Sequence, residues 1–141
     1  MVMACLLSLM SSVGATQAGR TFTTYFTKEE FAARRAKILE AIGPEGLAVI
    51  QGAPSVHASA IFRQSNEFFY VSGVVVPQAY LLLDGKDRRS ILYLPGRDER
   101  RAQTEGELLT ADEPAKAVAA TGIDEVKPLD ALAADLRMRA Q

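Results

Sequence analysis

The sequence predicts an α/β fold, a mixed β-sheet flanked by helices. Three observations carry this. A capped amphipathic helix opens the globular part, apolar runs of strand length bounded by Gly, Pro and polar turns fill the middle, and helical periodicity returns at the end. Helix, several strands, then helices is the order of a sheet with helices packed on it.

Thr27-Lys28-Glu29-Glu30 has capping-box spacing, with Thr27 as N-cap and Glu30 three residues on. Phe31, Ile38, Leu39 and Ile42 then recur at helical spacing, and Arg34, Arg35 and Lys37 fall on other faces. Gly43-Pro44 stops the helix, Gly as a left-handed cap and Pro by forbidding continuation. Leu47-Ala48-Val49-Ile50, between Gly46 and Gly52, reads as a strand buried on both faces. Phe68-Phe69-Tyr70-Val71 is aromatic and β-branched and ends at Gly73, which predicts a second strand with Phe69 in the core. Residues 79–83 and 90–94 flank the polar turn Asp84-Gly85-Lys86-Asp87 and form an antiparallel hairpin, closed by Pro95-Gly96. Asp112 caps a helix through Ala115, Val118 and Ala119 that stops before Gly122. Ile123 to Val126 adds a short edge strand that Pro128 ends, and Asp130 caps a last helix with Leu132, Ala133 and Leu136 on one face.

At 141 residues, 48% hydrophobic and 23% charged, the chain has the composition and size of one globular domain. Sixteen basic residues stand against seventeen acidic ones, which leaves no basic stripe for phosphates and excludes nucleic acid as the expected partner. Cys5 is the lone cysteine, so neither an internal disulfide nor a cysteine-based zinc cluster forms. Residues 1–18 stand apart. An apolar run to Met10 is followed by small residues up to Thr16-Gln17-Ala18, the look of a secretory signal peptide cleaved after Ala18, although no Lys or Arg precedes the run. Export to the periplasm or medium is the expectation, with a cytoplasmic chain as the alternative; the stretch is too short for a stable membrane span.

Catalytic constellations are scarce. His57 alone does not supply the several ligands of a catalytic zinc site, and a lone loop histidine is more often a solvated one. Neither a Gly-rich phosphate loop nor a Gly-x-Ser-x-Gly elbow occurs. Two polar places stand out. Arg63-Gln64 lies between Ile61-Phe62 and Phe68-Phe69-Tyr70, where a guanidinium either pairs with a carboxylate or carbonyl or faces a partner. Arg97-Asp98 follows the hairpin and opens the charge run Arg97-Asp98-Glu99-Arg100-Arg101, a solvated face or a binding rim in which Asp98 equally suits a cap.

Phe62-Arg63-Gln64-Ser65-Asn66-Glu67-Phe68-Phe69-Tyr70-Val71-Ser72-Gly73 resembles the F-R-Q…F-x-Y-(L/V)-(T/S)-G signature of the N-terminal domain of the aminopeptidase P family, relatives of prolidases and creatinases. Further matches follow in the family's order: Phe31 with Arg34-Arg35, Leu47 to Ile50, Pro77 and Ala79 before Tyr80-Leu81-Leu82-Leu83, Leu94 to Asp98, Gly122-Ile123-Asp124, and Leu129 to Leu136. The resemblance runs from about Tyr25 to Leu136, within a domain spanning 19–141. It implies a non-catalytic domain, a fragment or split half of a metal-dependent Xaa-Pro aminopeptidase. Such a domain shapes the active-site entrance and contributes to homo-oligomer contacts. Its implied partner is the enzyme's catalytic pita-bread domain, where Asp, Asp, His, Glu and Glu hold two metal ions, commonly manganese; none of those ligands is placed in this chain. Arg63, Arg97, Asp98 and Thr104 are the entrance or interface candidates. Thr104 stands where the family often has an aromatic residue, and Val74-Val75-Val76-Pro77-Gln78 lacks the family's acidic neighbour of the proline. The alternative is a stand-alone protein-interaction domain without peptidase activity.

Overall fold

The computed structural model describes residues 22–23, 25–55 and 61–139, without the side chains of Thr104 and Glu105. The signal-peptide expectation, Cys5 and His57 lie outside the described residues. A four-stranded sheet of order β1-β2-β3-β4 forms the middle layer, from β1 (Leu47–Gln51), β2 (Tyr80–Asp84), β3 (Arg89–Leu94) and β4 (Glu125–Pro128). β1 and β2 are antiparallel, as are β2 and β3, whereas β3 and β4 are parallel, so the sheet is mixed. Helices α1 (Lys28–Ile42), α2 (Asn66–Ser72) and α4 (Pro114–Thr121) contribute Leu39, Phe68, Val71 and Ala117 to one core with Leu81, Leu83, Leu92 and Leu94. The opposite face buries Leu82, Ile91 and Tyr93 under the 3₁₀ turn Leu129–Ala131 and helix α5 (Leu132–Arg139). α3 (Glu99–Glu105) follows the hairpin.

The hairpin forms as its two apolar runs and the polar turn between them predict, with Leu82 opposite Ile91. Asp84 Oδ1 accepts the amides of Lys86 and Asp87 at 3.1 and 3.3 Å, an Asx-type brace for the turn. Gly85 is needed there for space, because a Cβ would sit 1.9 Å from the Gly43 carbonyl oxygen. At α1, Thr27 accepts the Glu30 amide at 3.2 Å, as the capping box predicts. Gly43 ends the helix at φ 70°, with its N–H donating to the Leu39 carbonyl, but its ψ of −178° is extended and not left-handed helical.

Four expectations need correction. Residues 66–72 are helix α2, not a strand. Phe68, Val71 and Ser72 are buried while Tyr70 is 54% exposed, a helical rather than an alternating pattern. Phe68 therefore fills the core site expected of Phe69, which is half-buried with its ring edge-on to Phe31 at 6.3 Å. Gly73 closes this helix in the left-handed region at φ 68°, and a Cβ there would meet the Phe31 ring at 2.5 Å. β1 is an edge strand, with Leu47 and Val49 exposed and only Ala48 and Ile50 turned to the core. Asp112 does not cap α4. Glu113 holds that position, Pro114 occupies the first turn, and the buried face is Ala117 and Thr121, while Ala115 and Ala119 are exposed. Asp130 lies inside the 3₁₀ turn that runs directly into α5, where Leu132 and Leu136 pack and Ala133 is exposed.

Arg35 also departs from the reading that put it on an outer face of α1. It is 3% exposed and donates to the Val71 carbonyl at 3.1 Å and the Gly122 carbonyl at 2.8 Å. Those carbonyls lie at the C-terminal ends of α2 and α4, where the peptide dipoles favour a cation. Burial lowers the Arg35 pKa, with Asp124 acting against it.

The second face carries buried charge as well. Asp135 accepts from the Tyr93 hydroxyl at 2.7 Å and from Lys127 at 2.8 Å, and Asp84 pairs with Arg139. Burial pushes both carboxyls up. The hydrogen bonds and charges of their partners outweigh it, and each ends below its ordinary value. Carboxyls held below the unfolded value of about 3.9 stabilise fully above it and lose that contribution as the pH falls through their folded values. The melting temperature is therefore expected to drop on acidification below about pH 4, and the drop should be shallower in Asp84→Asn and Asp135→Asn. Parallel thermal melts from pH 7 to pH 2.5 check this; identical slopes in the variants would show that these two carboxyls do not drive acid unfolding.

Candidate functional site

The segment that leaves β3 at Leu94 runs past Pro95 and Gly96 to Arg97 and Asp98, then turns into α3. Its direction is fixed by two ties to the chain before α4. The Ala111 amide donates to the Pro95 carbonyl at 3.2 Å, and the Arg97 amide donates to Asp112 Oδ2 at 2.6 Å. Asp112 thus anchors this loop, the role it takes in place of the expected helix cap. Between the loop, α3 and residues 106–113 lies a cavity of about 190 Å³. Buried Val76 and Leu109 line it together with Ala102, and exposed Arg97, Asp98, Glu107 and Glu113 line it from the solvent side.

The charged groups Arg97, Asp98, Glu107 and Glu113 each have an internal partner, whereas the buried Thr110 hydroxyl, also in the lining, has none among the described residues. Asp98 is the N-cap of α3, accepting the amides of Arg100 and Arg101 at 3.0 and 3.2 Å. Arg97 pairs with Glu99 at 2.8 Å, and both are exposed. Lys116 reaches Glu107 at 3.1 Å and Glu113 at 3.2 Å. Its hydrogen bond holds the Glu107 carboxyl below the ordinary range, and the two carboxylates hold Lys116 above its own. Groups shifted this way keep their charges near neutral pH. The cavity is also smaller than the roughly 300–1,000 Å³ of typical small-molecule sites. It offers an apolar floor with a charged rim.

The site candidates are only partly brought together. Arg97 and Asp98 line the cavity. Thr104 lies on α3, which forms one wall, but its side chain is outside the described residues. Arg63 does not line the cavity; it is exposed, with no ion pair or hydrogen bond among the described residues. Its neighbour Gln64 proves to be the structural member of the pair. Gln64 Oε1 accepts the amides of Ala53 and Ser65 at 2.5 and 3.0 Å, and Nε2 donates to the carbonyls of Val74 and Val76 at 3.3 and 2.9 Å. One side chain thereby stitches the exit of β1, the start of α2 and the approach to β2. Among the described residues no group of three His, Cys, Asp or Glu side chains could hold a metal ion.

Asp98→Ala is expected to cost about 1 kcal/mol locally, as loss of a cap does, whereas Arg97→Ala should stay within about 0.5 kcal/mol. Amide hydrogen exchange at Arg100 and Arg101 checks this. Exchange accelerated equally by the two substitutions would show that the cap is not what holds α3.

Fold and site together define a mixed α/β module with a charged-rim cavity. The family model for the aminopeptidase P N-terminal domain matches residues 31–141. The chain belongs to that family. It is 35% identical over 96 residues to a "Probable Xaa-Pro aminopeptidase" of Aspergillus flavus, covering 64% of this chain and 19% of that protein. It is 29% identical over 126 residues to Xaa-Pro aminopeptidase 3 of Mus musculus, covering 77% and 24%. In structure it is similar to zinc-substituted Escherichia coli aminopeptidase P in complex with product, with a TM-score of 0.69 and 28% identity over 80% of this chain and 27% of that one. The chain thus spans about a fifth to a quarter of the length of these relatives. Membership of this family and a mixed α/β fold are what the signature around Phe62 to Gly73 led one to expect.

Proposed function

We propose that this chain acts as the non-catalytic N-terminal domain of an exported, metal-dependent Xaa-Pro aminopeptidase. The observation that carries the reading is the match of residues 31–141 to the family's N-terminal domain, together with coverage of only 27% of the aminopeptidase P fold. In this reading the peptide bond before proline is cut on a separate catalytic domain, where two metal ions, manganese by family resemblance, activate the attacking water. This chain's residues position and shield. The rim of Arg97, Asp98 and α3 with Thr104 faces the substrate entrance, and exposed Arg63 is offered to a protein neighbour. The apolar run to Met10 and the small residues that follow it to Ala18 support secretion or a periplasmic location. Among the described residues no helix is long and apolar enough to cross a membrane.

The purified chain with Mn²⁺ is expected to release no N-terminal residue from an X-Pro peptide. Metal-dependent release by the chain alone would overturn the reading. Sequencing the coding DNA past Gln141 supplies the complementary test: an in-frame catalytic domain supports the reading, and its absence turns the search to a separate binding partner.

A further inference from the structure

The two faces of the sheet are covered unequally. On one, α1, α2 and α4 bury Leu39, Phe68, Val71 and Ala117 against the strands. On the other, Leu82, Ile91 and Tyr93 lie under residues 129–139, whose apolar side chains Leu129, Ala131, Leu132 and Leu136 are each only partly buried. The one buried residue of that segment is Asp135, 4% exposed. A carboxylate is costly to bury unless it is paired, so α5 is held down by its charge partners more than by apolar area.

Two carboxylates make the attachment, one from each side. Asp135 of α5 accepts from the Tyr93 hydroxyl of β3 and from Lys127 of β4. Asp84, 2% exposed at the end of β2, accepts from Arg139 at the end of α5. Glu125 lies 3.5 Å from Lys127 and 3.2 Å from Arg89, so a Lys127 that lost Asp135 would share a single carboxylate with Arg89. Glu45, Lys86 and Asp87 line the cleft around Asp84 and Arg139, while Asp130 and Arg137 are exposed. The boundary of the segment is equally defined. β4 stays with the main core through buried Val126 and its parallel ladder to β3, and Pro128 ends it. Beyond Pro128 come a 3₁₀ turn and a helix of eight residues, too short to keep helical form alone in water.

We propose that residues 129–139 form a strap clasped to the sheet by Asp84 and Asp135, which lifts off as one unit when either carboxylate loses its charge, while the four-stranded sheet and the main core stay folded. Breaking a buried pair from one side leaves the other charge uncompensated, so loss of one clasp works against the whole strap. Burial raises both carboxyls and their partners more than offset it, so each ends below its ordinary value. The strap is therefore closed near neutral pH and opens as the pH falls through those folded values. Opening uncovers Leu82, Ile91 and Tyr93, an apolar strip on the second face of the sheet. The proposal does not rest on the peptidase reading.

Hydrogen exchange of the full chain, resolved by residue and corrected for intrinsic rates, tests it. At pH 7 Asp135→Asn, which keeps the side-chain shape and removes the charge, is expected to speed exchange in 132–139 at least about tenfold. Residues 81–83 and 91–94 of the sheet should stay within about twofold of wild type. Asp84→Asn, at the other clasp, should act in the same way, and it carries the comparison if Asp135→Asn does not fold. In the wild type, residues 132–139 should be the first to lose protection as the pH is lowered toward about 3. Strap and sheet losing protection together, in the variants or in acid, would show that no separate unit exists. Unchanged protection of 132–139 in both variants would show that these charges do not hold it. Either result overturns the proposal.

Discussion

Phe68→Ala is expected to destabilise the domain by about 3–5 kcal/mol, the range for emptying a large buried aromatic site. Phe68 is fully buried in the main core, in α2, where it joins Val71 against the sheet. Removing the ring deletes its transfer free energy and leaves a cavity that the surrounding leucines only partly fill. Phe69→Ala should cost about half as much or less, because Phe69 is only partly buried beside Phe31. Urea unfolding of both variants, compared at constant m-value, distinguishes them. A larger loss for Phe69→Ala would mean that α2 presents a different face to the sheet.

The second large effect is expected at Arg35. Arg35→Met keeps most of the aliphatic stem but removes the donors to the Val71 and Gly122 carbonyls. Two carbonyls beside a buried position then lose their partner, and a loss of about 2–4 kcal/mol follows. Arg35→Lys should recover only part of it, since an ammonium is a point donor and the guanidinium is a fork that spans two helix ends. Replacing a buried ionic group by an apolar one is sometimes neutral. Denaturant unfolding decides, and wild-type stability in Arg35→Met would show that the two carbonyls find other donors.

The sequence made much of the frame legible because the signals were local. The Thr27 capping box, the Asp84–Arg88 turn between apolar runs, and the glycines at positions 73 and 122 each act within a few residues of chain. What could not be read depended on distant neighbours. Phe68 to Val71 has strand-like residue types, yet α1 and β2 supply a surface that rewards a single helical turn pair, and tertiary contact overrode propensity. Arg35 looks like any helix-surface arginine until the ends of α2 and α4 arrive beside it. Gln64 carries no local pattern for its four hydrogen bonds, since its partners at positions 53, 74 and 76 converge only in the fold. At the candidate site the adjacency of Arg97 and Asp98 was legible and the cap role of Asp98 was one of its two readings. The tie from Asp112 to the Arg97 amide was not, and Arg63 gave no sign of standing apart from the cavity.

The pairing order of the sheet has a consequence for how the chain acquires its structure. β2 and β3 are joined by a four-residue turn, whereas β1 and β4 each reach their neighbour only across roughly thirty residues, so loop-closure entropy favours the central hairpin as the early nucleus. Synthesis runs the other way. At about 5–20 residues per second β1 leaves the ribosome a few seconds before β2 exists to receive it. During that interval the uncharged, apolar strand Leu47–Gln51 has no neighbour in the chain to complete its ladder.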